Sequence, residues 1–240
     1  MKRPGCWRFA FCWALALAAV LAALPVYAAP GRPISFRTAD GRTVNAYIAE
    51  ADVKPSAAVV LVPMLGRPKE DWQAAAQRFA DAGITALAMD LPGQYAPADA
   101  KELTGWSREI TAGIAYLRTR GDVRPEAIGI AGTSLGANLA AVAAAADPAV
   151  RAIALVSPSL DYRGVRIEGA MRQLGARPAL LVASLRDPYA ARSVRTLAEG
   201  APGPREMQWS ETPAHGMMLL SREPDLVRIL VEWFQRTLGG

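Results

Sequence analysis

The sequence predicts an α/β protein, a three-layer sandwich in which a mostly parallel sheet is covered by helices on both faces. Continuous apolar runs of strand length recur along the chain, and helical segments separate them. Strands that are apolar throughout are buried on both faces, and such burial is typical of parallel sheets. The 240 residues contain no internal repeat and no sign of a second domain, so we expect a single core.

The predicted elements follow one another after a short tail. A hairpin comes first, because two alternating segments flank Asp40-Gly41, a common turn pair. We expect strands at 34–38, 43–49, 57–62, 84–89, 127–131, 150–156, 179–184 and 206–209. We expect helices at 70–82, 104–120, 134–146, 188–199 and 224–238. Thr104 is a candidate N-cap, and Gly121 lies just past the end of the same helix.

Residues 1–28 have the pattern of a secretory signal peptide. Lys2, Arg3 and Arg8 accompany a long apolar run that ends in small residues at Ala28. Such a segment is removed on export, so we expect a mature domain at 29–240 that is periplasmic or secreted. The alternative is an uncleaved N-terminal anchor, although the apolar run is short for a membrane span. After cleavage we expect no stable membrane association.

Composition argues against several classes of function. Both cysteines, Cys6 and Cys12, lie in the signal segment, so the mature domain has no cysteine nucleophile and needs no disulfide. With His215 as its only histidine, the chain lacks the usual zinc ligands, and we expect neither a metal nor a cofactor. The formal charge of +5 approaches neutrality without the signal segment, which gives no basis for nucleic-acid binding. The oligomeric state stays open.

The motif Gly132-Thr133-Ser134-Leu135-Gly136 lies between a predicted buried strand and a predicted helix. This G-x-S-x-G pattern is typical of a nucleophile elbow, in which a sharp turn exposes the serine hydroxyl above the sheet. Gly132 and Gly136 leave room for that turn because they lack a Cβ. The helix that follows directs free N–H groups at the site, so the amide of Leu135 is a candidate oxyanion donor. The competing interpretation is a glycine-rich turn with a capping serine.

The candidate base and acid follow Ser134 in the chain order Ser, acid, His, which is the order of this arrangement. His215 lies in a loop just after the last predicted strand, and it is the candidate base. Asp187 follows another buried strand, where a carboxylate can orient the imidazole. The alternative is that Asp187 only caps the next helix, whose first residue is Pro188. Asp161 is the rival acid.

The loop after the strand at 57–62 should supply a second oxyanion donor. Pro63 has no N–H group, so the amide of Leu65 is favoured over that of Met64. Met64, Tyr95 and Met217 are candidates to line a substrate pocket, whereas ordinary core packing is the alternative for each methionine.

These motifs resemble those of the α/β-hydrolase superfamily, and the resemblance covers 33–240. Asp90-Leu91-Pro92-Gly93 also resembles the loop after the fourth strand of that family. The resemblance implies an eight-stranded, mostly parallel sheet and a Ser-Asp-His triad. Within the superfamily, the compact size of this chain is similar to that of dienelactone-hydrolase-like and small esterase members. A dienelactone hydrolase typically has a cysteine nucleophile where this chain has Ser134. Many members carry His-Gly where this chain has Pro63-Met64. The segment 157–178 leaves no room for a large lid, only for a small helix at 167–174.

The sequence therefore predicts a serine hydrolase that cleaves a carboxylic ester of a small molecule through an acyl-enzyme. One alternative is a peptidase or amidase that uses the same triad. The other is a non-catalytic exported binding module that kept the fold. The identity of the substrate and the length of its acyl group stay open, because specificity depends on loops.

Overall fold

The structure is a computed structural model that describes residues 29–93 and 98–239. The strands are β1 (Arg32–Arg37), β2 (Thr43–Ala49), β3 (Ser56–Val62), β4 (Ile84–Met89), β5 (Val123–Thr133), β6 (Val150–Val156), β7 (Asp161–Tyr162), β8 (Val165–Arg166), β9 (Ala179–Ser184) and β10 (Arg205–Ser210). The helices are α1 (Gln73–Asp81), α2 (Ala100–Gly105), α3 (Ser107–Arg118), α4 (Leu135–Ala146), α5 (Glu168–Leu174), α6 (Pro188–Glu199), α7 (Met217–Arg222) and α8 (Asp225–Leu238).

Eight of the strands form one sheet in the order β1-β2-β4-β3-β5-β6-β9-β10, and β7 and β8 form a separate hairpin. Pairing is antiparallel between β1 and β2 and between β2 and β4, and it is parallel across the rest of the sheet. The predicted mostly parallel, eight-stranded sheet is confirmed. Its parallel strands all end at one edge, where open α/β sheets bind their ligands.

Two hydrophobic cores lie on opposite faces of this sheet. Along β3, Val60 and Val62 point into one core, while Val59 and Leu61 point into the other. This alternation follows from the two-residue period of a strand. The first core contains apolar residues of α3, α4 and α6, and the second contains those of α1 and α8. Because both faces of β3 are covered, its sequence is apolar at nearly every position.

Two predicted helices differ in detail from the structure. The segment predicted as a helix at 70–82 starts with a 3-10 turn, Lys69–Trp72, before α1 begins. The segment predicted at 104–120 is divided into α2 and α3. The prediction of Thr104 as an N-cap was wrong, because Thr104 lies within α2 and its hydroxyl donates to the Ala100 carbonyl. Asp99 caps α2 instead, since its carboxylate accepts a hydrogen bond from the Glu102 amide at 2.8 Å.

The segment 157–178 holds only the β7–β8 hairpin and α5, so the absence of a large lid is confirmed for this segment. Two short elements were not predicted: the hairpin and α7, which directly follows His215 and Gly216. Residues 1–28, where the signal peptide is predicted, lie outside the described residues. Within 29–93 and 98–239, no helix is both long enough and apolar enough to cross a bilayer.

Candidate active site

Ser134 occupies a sharp turn between β5 and α4. Its φ of 52° and ψ of −121° lie outside the regions that non-glycine residues favour, a conformation that costs about 1–3 kcal/mol. The surrounding backbone holds it in place. The Ser134 amide donates to the Val156 carbonyl at 2.9 Å, and the Ser134 carbonyl accepts from the amides of Ala137 and Asn138. The strand-to-helix turn predicted from the motif is therefore present.

The two glycines of the motif are required by close backbone contacts. A Cβ built on Gly132 would lie 2.7 Å from the amide nitrogen of Ala137. A Cβ built on Gly136 would lie 2.6 Å from the Val62 carbonyl oxygen. Both separations are shorter than a van der Waals contact. The first turn of α4 therefore packs directly against the end of β3, which brings the loop after β3 next to Ser134.

A continuous chain of hydrogen bonds joins the three residues predicted to form the site. The Ser134 hydroxyl lies 2.8 Å from Nε2 of His215, and Nδ1 of His215 lies 2.5 Å from Oδ2 of Asp187. Ser134 is buried, and the side chain of His215 is 40% exposed, so solvent reaches the imidazole while the hydroxyl is enclosed. The three residues follow β5, β9 and β10, so the carboxyl edge of the sheet brings them together.

Asp187 uses its two carboxylate oxygens for two different contacts. Oδ2 meets His215, while Oδ1 accepts a hydrogen bond from the Ala190 amide at 3.2 Å and caps α6. The capping role and the contact with the imidazole are therefore compatible. Asp161, the rival acid, is engaged elsewhere: it accepts hydrogen bonds from the Gly164 amide and from Nε of Arg166. The hydrogen bond from Arg166 lowers the pKa of Asp161.

The candidate oxyanion donors lie on the two segments that flank Ser134. The amide of Leu135 is the first of α4, and the first amides of a helix have no acceptor within it. Leu65 lies in the turn after β3, where the Arg67 amide donates to the Met64 carbonyl at 3.2 Å. Its role as the second donor stays a prediction.

The candidate pocket residues are placed differently. A Cβ built on Gly216 would lie 3.1 Å from the Met64 sulfur and 3.5 Å from the Ser134 Cβ, so Met64 is adjacent to the site. Met217 is buried, at 6% exposure, and belongs to the core shared by α1 and α8. Core packing thus accounts for Met217, and a pocket role stays a prediction. Tyr95 lies outside the described residues.

An ion pair not identified from the sequence fastens the loop after β3. The Asp90 carboxylate accepts hydrogen bonds from the backbone amide and from Nζ of Lys69, each at 2.9 Å. Burial opposes the charge of Lys69, but hydrogen bonds to Glu70 and Asp90 outweigh it and raise the pKa of the Lys69 ammonium group. Because Lys69 follows the candidate oxyanion loop, the pair holds that loop against the end of β4.

Ser157 is a second site residue that sequence reasoning missed. It follows β6 with a φ of 51°, and its buried hydroxyl accepts a hydrogen bond from the Gly216 amide at 2.9 Å. The Ser157 amide donates to the Val182 carbonyl at 2.7 Å. Ser157 therefore holds the residue next to His215. Its position after a buried strand was a signal, but no sequence pattern indicates the left-handed conformation or the partner.

Most of the chain is similar in sequence to one known protein family. Residues 44–201 match the sequence profile of a family described as the dienelactone hydrolase family. The chain belongs to the dienelactone hydrolase family. The description of this family is that of a family of hydrolases.

Solved structures share the fold of this dienelactone hydrolase family member. An α/β hydrolase, GrgF, from Penicillium sp. sh18 has a TM-score of 0.75 at 16% identity, covering 88% of this chain and 100% of that one. The esterase domain of a Rhodothermus marinus protein has a TM-score of 0.71 at 16% identity, covering 87% and 99%. A dienelactone hydrolase from Anabaena variabilis has a TM-score of 0.68 at 16% identity, covering 88% and 100%. These similarities establish the α/β-hydrolase fold.

One curated relative is similar in sequence. The protein named thiohydrolase apmlB, from Arthrinium phaeospermum, is 30% identical over 132 residues. The match covers 52% of this chain and 42% of the relative, so it spans less than half the length of that protein.

Proposed function

We propose that this chain is a serine hydrolase that cleaves a carboxylic ester through a triad of Ser134, His215 and Asp187. The observation that carries the proposal is the continuous hydrogen-bonded chain from hydroxyl to imidazole to carboxylate. A serine hydroxyl is a weak nucleophile unless a base accepts its proton, and Nε2 of His215 lies within hydrogen-bonding distance of Ser134. The strained backbone conformation of Ser134 supports the same role.

In the proposed reaction, the Ser134 oxygen attacks the ester carbonyl while its proton moves to Nε2 of His215. Asp187 accepts the hydrogen bond from Nδ1–H and stabilises the imidazolium. The amides of Leu135 and Leu65 donate to the oxyanion of the tetrahedral intermediate. His215 then returns the proton to the alcohol that leaves. Water, activated by the same imidazole, releases the carboxylic acid and restores the Ser134 hydroxyl.

The proposed acyl pocket is apolar at its entrance. Met64 supports this assignment, because its sulfur lies beside Gly216 and Ser134. Methionine adapts its shape to different apolar groups. We expect Tyr95 and Met217 to complete the pocket, with the alcohol group of the ester directed toward solvent on the exposed side of His215.

A thioester is the second candidate substrate. The relative from Arthrinium phaeospermum is named a thiohydrolase, and this similarity favours the alternative. The same attack by Ser134 would release a thiol in place of an alcohol. Matched acyl groups on p-nitrophenol and on a thiol carrier would separate the two, since the larger kcat/KM identifies the preferred leaving group.

We further propose that residues 1–28 direct export and are then removed. Basic residues followed by an apolar run support this reading. Mass spectrometry of the chain recovered from the exported fraction should find Ala29 as its first residue. A full-length chain in the membrane fraction would instead identify the segment as an anchor.

Replacing Ser134 with alanine tests the proposed mechanism. We expect kcat for short p-nitrophenyl esters to fall by on the order of 10⁶-fold, because within 29–93 and 98–239 the Ser134 hydroxyl is the nucleophile that contacts Nε2 of His215. A fluorophosphonate probe should label the wild-type chain at Ser134 and leave Ser134→Ala unlabelled.

The matched control is Ser56→Ala, a buried serine at the start of β3 whose hydroxyl contacts Thr85 at 2.8 Å. That variant should keep both labelling and turnover. Turnover by Ser134→Ala at the wild-type rate would remove Ser134 from the mechanism, and a folded wild-type chain that takes no label would favour a binding function.

A further inference from the structure

A single buried hydroxyl connects the segment that carries Asp187 with the segment that carries His215. Ser184 is the last residue of β9 and has no exposed surface. Its Oγ accepts a hydrogen bond from the amide of Arg186, the residue before Asp187, at 2.9 Å. The same hydroxyl donates to the carbonyl of Thr212, at 2.6 Å, three residues before His215. We propose that Ser184 is a positioning residue that sets the hydrogen bond between Asp187 and His215.

The histidine segment is also fastened on its other side. The Glu223 carboxylate, just after α7, accepts hydrogen bonds from the hydroxyls of Ser210 and Thr212. The Ser210 hydroxyl in turn accepts from the Thr212 amide at 2.9 Å. These contacts tie the backbone around Thr212 to Ser210 and to the end of α7. The hydrogen bond from Ser184 to Thr212 therefore sets the separation between the end of β9 and the loop that carries His215.

Other contacts between the two segments are less able to set that distance. The Leu185 amide donates to the Ser210 carbonyl at 2.7 Å, which extends the pairing of β9 and β10 but ends five residues before His215. Arg186 and Glu211 form an ion pair at 3.5 Å whose side chains are 68% and 72% exposed. Exposed ion pairs are screened by solvent and contribute little. Ser184 combines full burial with a contact to each segment.

Loss of this hydroxyl would leave two partly buried backbone groups without this partner. The Arg186 amide and the Thr212 carbonyl would each need a new partner, and water can supply one only if the two segments shift, because an unsatisfied polar group shielded from solvent is costly. Both segments would then move apart, and the 2.5 Å contact between Asp187 and His215 would lengthen. A misplacement of about 1 Å can cost on the order of 100-fold in rate.

The kinetic test compares Ser184→Ala with Ser56→Ala. Ser56 is the buried serine at the start of β3, at the end of the parallel strands opposite to the candidate site. This part of the inference rests on the proposed function. We expect kcat to fall by about 10- to 100-fold in Ser184→Ala, with little change in KM, because the substrate pocket is not altered. Ser56→Ala should keep the wild-type kcat. Ser184→Cys has nearly the same shape and a weaker donor, so its kcat should lie between wild type and Ser184→Ala.

The second readout does not need turnover. His215 is the only histidine of the chain, so imidazole signals in ¹⁵N-histidine-labelled protein belong to it alone. The proton on Nδ1 should resonate far downfield in the wild-type chain, since it lies in a short contact with Asp187. We expect that resonance to move upfield or to disappear by exchange in Ser184→Ala, and to stay in place in Ser56→Ala.

The two readouts distinguish failure of the inference from failure of the proposed function. Wild-type kcat and an unmoved resonance in Ser184→Ala would overturn the positioning role. A wild-type chain that cleaves no ester and takes no label would overturn the proposed function, while the resonance would still test Ser184. If Ser184→Ala does not fold, Ser184→Cys carries the test, and an unchanged kcat and resonance in that variant would overturn the inference.

Discussion

Replacing Asp187 with asparagine separates the two contacts of its carboxylate. Oδ1 caps α6 through the Ala190 amide at 3.2 Å, and Oδ2 meets Nδ1 of His215 at 2.5 Å. Asparagine keeps the volume of the side chain and one oxygen for the cap. Its other arm is an amide NH₂ group, which donates hydrogen bonds and cannot accept one from Nδ1–H.

The expected effect on catalysis is large, and the effect on stability is small. With an amide as partner, the imidazole of His215 carries its proton on Nε2 and cannot accept the proton of Ser134. Loss of the correct tautomer is expected to lower kcat by about 10,000-fold, or about 5.4 kcal/mol of transition-state stabilisation. The helix cap survives in Asp187→Asn. In Asp187→Ala the cap is lost as well, and we expect about 1 kcal/mol less stability.

The assay pairs ester kinetics with urea unfolding for both variants. Asp187→Asn should unfold at nearly the wild-type urea concentration, whereas Asp187→Ala should unfold earlier, and both should be almost inactive. A kcat for Asp187→Asn within tenfold of wild type would refute the orienting role of the carboxylate. Equal losses of stability in the two variants would refute the assignment of Asp187 as the cap of α6.

Two further predictions concern stability. Gly136→Ala should lower the free energy of unfolding by about 1–3 kcal/mol, because its Cβ would lie 2.6 Å from the Val62 carbonyl oxygen. The control Gly169→Ala, in α5 with nothing within 4 Å of its Cβ, should be stabilising by up to about 1 kcal/mol; equal melting temperatures for the two variants would contradict the steric argument. Burial raises the pKa of the Glu109 carboxyl, and the nearby charge of Arg42 opposes this shift without overcoming it. Nη1 of Arg42 lies 2.7 Å from Oε1 of Glu109, but the two groups are not oriented for a hydrogen bond. The ionised form therefore destabilises the fold at neutral pH, so Glu109→Gln should be more stable than wild type at pH 7, and the gain should vanish as the pH falls to the ordinary value of 4.5. Urea unfolding across this pH range measures the effect, and a less stable Gln variant at pH 7 would show that the Arg42 pair dominates.

The break between α2 and α3 could not be predicted from the spacing of apolar residues along the chain. Leu103 in α2 and Ile110 and Ile114 in α3 all enter the same core, so the apolar pattern continues across the break between the helices. The break itself occurs at Trp106, whose side chain is buried. Burial of that ring depends on the neighbouring elements, and periodicity along one segment contains no information about them.

Short elements were missed for a related reason. The β7–β8 hairpin has two residues in each strand, and α7 has six residues, which is too short for a helical period to be distinguished. Their conformation depends on contacts with distant residues. Asn138 of α4, for example, donates to the carbonyl of Ser159, just before the hairpin, and to that of Val165 in β8, so it holds the hairpin against α4.

The sequence by itself determined the class of the fold, the strand-to-helix turn at Ser134 and the chain order of three candidate residues. These properties depend on local patterns: the period of apolar residues, glycines in a tight turn, and polar residues placed after buried strands. Only the tertiary structure decided that His215 meets Asp187 and not Asp161, and that the hydroxyls of Ser157 and Ser184 hold the histidine segment. A hydrogen bond requires two groups at about 3 Å with suitable angles, and for residues far apart in the chain this distance is set by the packing of the whole sheet.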